Sequence, residues 1–260
     1  MKDAVLKPGN FTGLAQDYAK YRPGYSETVL TGLLALVGTA TNAIDAVDIG
    51  AGTGIWTSMI AARHCRSVVA VEPNDDMRRW GQEMTQASSI RWVAGGAERT
   101  GLPGASADFL TMASSFHWVD FDEGMREFRR VLRPGGRFAA LWNPRLIEQN
   151  PLLVEIEEQL RILKPDLKRV SSGRSGITER LTEMLHQCDG FEDVIYLEGR
   201  HKVFQTLDQY LGAWRSVNDI QVQLGPEKFG AFLEHVRIRL RDVPGVETTY
   251  LTRAWTVRRC

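Results

Sequence analysis

Three groups of residues in this 260-residue chain have types and spacings suited to chemistry. The first is Asp48-Ile49-Gly50-Ala51-Gly52-Thr53-Gly54, an acid followed by three alternating glycines. Such glycines let the backbone turn tightly and approach a ligand closely, and the helical pattern from Ile55 sets unpaired N–H groups just beyond them. The second is Glu72, which ends the next apolar run, 22 residues past Gly50. An acid at the tip of the second strand of a βαβ unit accepts hydrogen bonds from ribose hydroxyls, each contributing about 1.5–3 kcal/mol when charge-assisted. The third is His117, within Ser114-Ser115-Phe116-His117-Trp118-Val119-Asp120. Its imidazole titrates near neutrality, which suits a general base for a substrate O–H or N–H. The other reading is a hydrogen-bonded structural histidine beside an aromatic wall.

The elements that must position these groups alternate. Ile44 to Ile49 reads as a buried strand, Ile55 to Arg63 as a helix, and Ser67 to Val71 as a second strand ending at Glu72. A helix starting in Pro73-Asn74-Asp75-Asp76-Met77 follows, with strands over Ile90–Val93 and Asp108–Met112. Phe121 to Leu132 is amphipathic, with Met125, Phe128, Val131 and Leu132 on one face, and it stops at Arg133-Pro134-Gly135-Gly136. The strand Arg137–Trp142 comes next, closing at Asn143. This order predicts an α/β fold with a parallel sheet and right-handed crossovers, whose ligands lie beyond the carboxyl ends of the strands. Upstream, Ser26 caps a helix that buries Val29, Leu30, Leu33, Leu34 and Val37. Ahead of it, residues 11–25 hold Phe11, Tyr18, Tyr21, Arg22 and Tyr25. They read either as a packing arm over the sheet edge or as a lid, while residues 1–10 read as a mobile lead.

A dinucleotide fingerprint needs a third glycine where Ile55 stands. Instead, Asp48 with the glycine turn, Gly95-Gly96-Ala97-Glu98 before Leu102-Pro103, Phe116-His117-Trp118-x-Asp120 and Leu132-Arg133-Pro134-Gly135-Gly136 resemble the class I S-adenosylmethionine-dependent methyltransferases. The resemblance is to the small-molecule type and covers about the first 145 residues. It implies a Rossmann-like, seven-stranded, mostly parallel sheet with an antiparallel last strand and helical cap insertions. It also implies S-adenosylmethionine as cofactor. Asp48, Gly50, Ala51, Gly52 and Gly54 would hold the cofactor's amino-acid end and ribose side. Glu72 with Pro73 would take the hydroxyls, and Met77 one adenine face. Gly96 stands where the family often has an adenine-binding aspartate, so the Ala97 N–H or the Glu98 side chain would have to meet the adenine edge. Ser114 would complete the cofactor site. Tyr18 and Tyr21 would face the sulfonium, a desolvated cation–π contact of on the order of 1–2 kcal/mol, with Arg22 near a carboxylate.

From residue 145 the resemblance weakens. Helices are expected over Pro151–Leu163, Ile177–Gln187, Thr206–Asn218 and Pro226–Arg241, and strands over Phe191–Phe204 and Thr248–Val257. The basic cluster Lys164, Lys168, Arg169 and Arg174 reads as a solvated connection, the other reading being a site for an anionic substrate. Insertions here would cap the strand tips, making His117, Trp118, Trp142, Asn143 and Trp214 candidates for an acceptor pocket. The division expected is an arm over 1–25, a cofactor-binding core over 26–145, and a C-terminal part over 146–260 that completes the sheet.

Basic and acidic residues balance at 32 each, which leaves no electrostatic footprint for nucleic acid or an anionic membrane. Cys65, Cys188 and Cys260 are scattered, as expected of a cytoplasmic chain without a metal site. A monomer or homodimer acting on a small molecule is expected. A cofactor-binding regulator without catalysis, or a nicotinamide-dependent oxidoreductase, remains as an alternative.

Overall fold

The computed structural model describes residues 11–168 and 176–260. The expected mobile lead, and Arg169 and Arg174 of the basic cluster, lie outside the described residues. The chain runs α1 (Ala15–Tyr21), α2 (Glu27–Leu36), β1 (Asp45–Ile49), α3 (Ile55–Ala61), β2 (Ser67–Val71), α4 (Asp75–Met84), β3 (Ile90–Val93), β4 (Ala107–Ala113), α5 (Phe121–Val131) and β5 (Leu132–Trp142). It continues with α6 (Pro151–Leu163), α7 (Ile177–His186), β6 (Phe191–Gln205), α8 (Leu207–Arg215), α9 (Asn218–Leu240) and β7 (Val246–Arg259).

The strands form one seven-stranded sheet in the order β3-β2-β1-β4-β5-β7-β6. β1 to β5 pair in parallel, whereas β7 runs antiparallel to both β5 and β6. The period-two pattern of each strand divides its side chains between two faces. Ala46, Val68 and Phe109 pack with Leu30 and Leu33 of α2 and Trp56 and Ile60 of α3. Their neighbours Val47, Val69 and Leu110 pack on the other face with Phe128 and Val131 of α5 and Leu181 and Leu185 of α7. Both faces are thus covered, as a parallel sheet requires. A third cluster, centred on Tyr210, Trp214, Ile220 and Phe232, joins α6, α8 and α9 into a helical cap.

The main departures lie at element boundaries. β5 starts at Leu132, which pairs with Ala107, and regular pairing resumes at Arg137 opposite Phe109. Arg133–Gly136 is therefore a bulged lead-in to the strand, with Gly135 at φ +81°, instead of a free turn. The helix expected over Thr206–Asn218 ends at Arg215, although Thr206 does open it with a capping box. A separate helical turn starts at Asn218 and breaks at Gly225 (φ +71°) before Pro226 restarts the helix. The C-terminal arginines stand on β7, between β5 and β6: Arg258 pairs with Glu192 of β6 at 2.9 Å, and Arg253 lies over the Trp255 ring at 4.8 Å.

Candidate active site

Two cavities, of about 330 Å³ and 120 Å³, open where the resemblance places the site. They share Phe11, Tyr18, Gly50, Gly52, Ser114 and Trp118 as walls. The larger reaches Glu72, Pro73, Met77 and the Gly96-Ala97-Glu98 segment. The smaller runs the other way, past Ala51, Arg22 and His117, to Asn143 and Tyr250 beneath the cap.

The larger lobe is built by strand tips. Gly50 (φ +64°), Gly52 (φ +58°) and Gly54 (φ +81°) all adopt left-handed backbone, the region only glycine enters cheaply. A Cβ on Gly50 would stand 2.7 Å from the Ser115 Oγ. The Gly52 N–H donates to Glu72 Oε2 and the Asn74 N–H to Glu72 Oε1, both at 2.8 Å. Each carboxylate oxygen keeps a second acceptor direction in a residue that lines the lobe. Burial pushes the Glu72 carboxyl above its ordinary range, opposed by those two N–H bonds and by Arg78. Asn74 caps α4 by accepting from the Asp76 and Met77 N–H groups, which seats Met77 against the lobe. Glu98 Oε1 accepts from the Asp120 N–H at 3.0 Å, joining the segment before Leu102 to the start of α5.

Asp48, expected at the cofactor, is buried beneath the turn and lines neither cavity. It accepts from Thr57 Oγ1 at 2.6 Å and Thr111 Oγ1 at 3.0 Å, so it braces the glycine turn from below. Burial raises its carboxyl to about 7 against those two bonds, with the Glu72 charge adding to the rise. Gly54 also lies outside both cavities. It begins α3, and a Cβ there would meet Trp92 at 3.0 Å.

The smaller lobe is assembled from distant segments. Ser114 sits at φ +54° and meets the Tyr25 hydroxyl at 3.0 Å, a backbone conformation that non-glycine residues reserve mostly for functional or over-determined positions. Asn143 donates to the Gly24 carbonyl at 2.9 Å and accepts from Thr252 Oγ1 at 2.8 Å, so its amide pins the arm beside the lobe. His201 reaches the same carbonyl at 3.0 Å and stacks on Tyr250. Trp142 is buried outside both cavities, and its indole Nε1 donates to His117 Nδ1 at 3.3 Å.

Residues 11–25 roof both lobes. The Gly13 N–H donates to Asp76 of α4 at 3.0 Å, while Asp17 pairs with Arg215 of α8 at 3.0 Å. Arg22 donates to Ser216 Oγ at 2.7 Å and lies 4.9 Å over the Tyr18 ring, occupying one of its faces. Tyr18 lines both lobes, but Tyr21 does not. Its ring fills the notch at Gly212, where a Cβ would stand 2.1 Å away. Trp214 is likewise outside the cavities, in the cap's core against Phe232 (4.8 Å) and under Arg145 (4.3 Å). Of the basic cluster, Lys164 pairs with Asp166 at 2.9 Å and lines neither lobe. Asn218, Asp219 and Tyr250 line the smaller lobe without having been singled out from sequence, and Tyr25, read there only as part of the arm, joins them. They lie 92 to 133 residues from His117 in sequence, so no local spacing ties them to it. Among the described residues no cluster of side chains could hold a metal, and no helix is long and apolar enough to cross a membrane.

Residues 47–140 match the family described as a methyltransferase domain. An uncharacterised methyltransferase of Mycobacterium tuberculosis is 35% identical over 146 residues, 55% of each chain. The chain thus matches about half the length of those curated relatives. A ubiquinone/menaquinone biosynthesis C-methyltransferase of Rubrivivax gelatinosus is 38% identical over 96 residues, 36% of this chain and 38% of that one. Among solved structures, a protein of Anaeromyxobacter dehalogenans proposed to be a type II methyltransferase superposes with a TM-score of 0.60 at 24% identity. That match covers 92% of this chain and 98% of that one. A phosphoethanolamine N-methyltransferase of Haemonchus contortus, solved with S-adenosylhomocysteine, superposes with a TM-score of 0.53 at 14% identity, covering 95% and 57%. The sheet order, the glycine turn and the matched domain define a class I methyltransferase fold. Residues 47–140 thus carry a methyltransferase domain, set in a Rossmann-like methyltransferase fold.

Proposed function

We propose that this chain methylates a small molecule, with S-adenosylmethionine in the larger lobe and the methyl acceptor in the smaller. The observation that carries the reading is the junction of the two lobes at Gly50, Gly52, Tyr18, Ser114 and Trp118. The residues fit the cofactor: glycines clear the space a Cβ would take, and the Glu72 carboxylate is fixed at the lobe by two backbone N–H groups. Pro73, Met77, Ala97 and Glu98 would wall the adenine, and Asp48 would act only by holding the turn. When bound, the cofactor supplies an electrophilic methyl group on a sulfonium. The chain's own part is to hold the acceptor in line with that methyl and to exclude water. Residues 11–25 suit the second task as a lid, with Tyr18, part of that segment, lining both lobes where its ring could meet a cation.

The test is transfer of label from methyl-labelled S-adenosylmethionine into a cell extract separated by size. Label in the small-molecule fraction supports the reading, and mass spectrometry of that fraction identifies the acceptor. Label on protein or nucleic acid instead overturns the capped-pocket assignment. S-adenosylhomocysteine is expected to protect residues 11–25 from proteolysis, and equal cleavage with and without it removes the lid.

A further inference from the structure

His117 is the obvious proton acceptor of the smaller lobe, yet its surroundings restrict which nitrogen carries the proton. The indole Nε1–H of Trp142 is a donor only, and it points at His117 Nδ1 at 3.3 Å. Nδ1 therefore acts as an acceptor, and in the neutral ring the proton resides on Nε2. Nε2 is buried without a hydrogen-bond partner, and the residue lines the smaller lobe. A buried N–H left unpaired costs about 1–3 kcal/mol, which is recovered when a ligand supplies a lone pair.

We propose that His117 is a fixed hydrogen-bond donor to the methyl acceptor, and not its general base. It selects molecules that turn an oxygen or nitrogen lone pair toward Nε2–H. The proton of an O–H or N–H acceptor does not pass to this ring, so the acceptor group arrives deprotonated or releases its proton elsewhere. The inference rests on the smaller lobe being the acceptor site. Besides His117, the titratable and charged groups facing that lobe are Tyr18, Arg22, Tyr25, Asp219 and Tyr250. Burial lowers the His117 imidazole to about 4, and the Asp219 carboxylate only partly offsets it. The ring is accordingly neutral at working pH.

Two measurements separate this inference from the methyltransferase reading itself. In two-bond ¹H–¹⁵N spectra of ¹⁵N-labelled protein, the His117 signals are identified by their loss in His117→Gln. The expected pattern is a protonated Nε2 and a bare Nδ1, unchanged from about pH 5.5 to about pH 8.5. An Nδ1–H tautomer, or titration to imidazolium in that window, overturns the inference whether or not any substrate is known. In the label-transfer assay, Gln can present an amide N–H close to the position of Nε2 but cannot serve as a base. With both variants matched to wild type in S-adenosylhomocysteine affinity, His117→Gln should stay within about threefold of wild type and His117→Ala fall about tenfold or more. A loss of about 10²-fold or more in both variants is the signature of a general base and refutes the donor role. Unchanged transfer in both refutes contact with the acceptor.

Discussion

The two lobes are built by different means. Every residue reaching into the larger lobe beyond the shared walls lies between Glu72 and Val119, on the tips of parallel strands, on the segments that follow them or, for Met77, in the first turn of α4. The smaller draws Arg22 and Tyr25 from the arm, His117 from after β4, Asn143 from after β5, Asp219 from α9 and Tyr250 from β7. The first arrangement follows from local backbone geometry. The second exists only once the cap has closed over the sheet. A lobe of the first kind tolerates few changes in its turns, whereas the second should be open to change without losing the cofactor.

The largest effect expected is from Glu72→Ala. It removes the acceptor for two backbone N–H groups and, on the proposed function, for the cofactor hydroxyls, so at about 1.5–3 kcal/mol per charge-assisted bond S-adenosylhomocysteine affinity should fall by on the order of 10²-fold or more by calorimetry. An unchanged affinity would erase the contrast between the lobes. Gly50→Ala comes next. Left-handed backbone costs a non-glycine residue about 1–2 kcal/mol, and its Cβ would also meet Ser115, so both the melting temperature and cofactor affinity should drop. Gly212→Ala, which drives a Cβ into the Tyr21 ring, should instead speed proteolysis of residues 11–25 while leaving Glu72-dependent affinity within a few-fold. If affinity collapses as well, the arm is a structural part of the cofactor site and the two lobes are not independent.

Asp48 offers a pH test. Its folded carboxyl is raised to about 7 from 3.8, so the folded state binds the proton more tightly than the unfolded chain. Stability from this group is full below about 4 and is lost as pH rises through about 7. Asp48→Asn should flatten that part of the stability–pH curve, as read by denaturant midpoints, and an unchanged slope would show that another group sets it. The smallest effect belongs to Arg215→Ala. It breaks a partly exposed pair with Asp17, a kind of contact worth about 0–1 kcal/mol, and should only modestly speed cleavage of the arm.

The same contrast explains what could be read in advance. The boundaries of β2 and β3 and the cap at Ser26 depend on residues next to one another, and they were legible. So were the turn glycines and Glu72, since a tight turn restricts side chains wherever it occurs. Asp48 was legible as a special residue but not in its role, because only the register of β1 with β4 brings Thr111 within reach of it. Tyr18 and Tyr21 were indistinguishable in sequence. The notch at Gly212, nearly 200 residues away, draws Tyr21 out of the site.

By itself, then, the amino-acid order determined the alternating architecture, the glycine turn and the acid beyond it, because backbone sterics and period-two burial act within a few residues. The tertiary structure alone decided that Trp142 faces His117 Nδ1, that Trp214 belongs to the cap's core, and that Asp219 and Tyr250 share a lobe with the arm. Those contacts close loops of about 25 to more than 200 residues, a span over which packing selects partners and local preference carries no information.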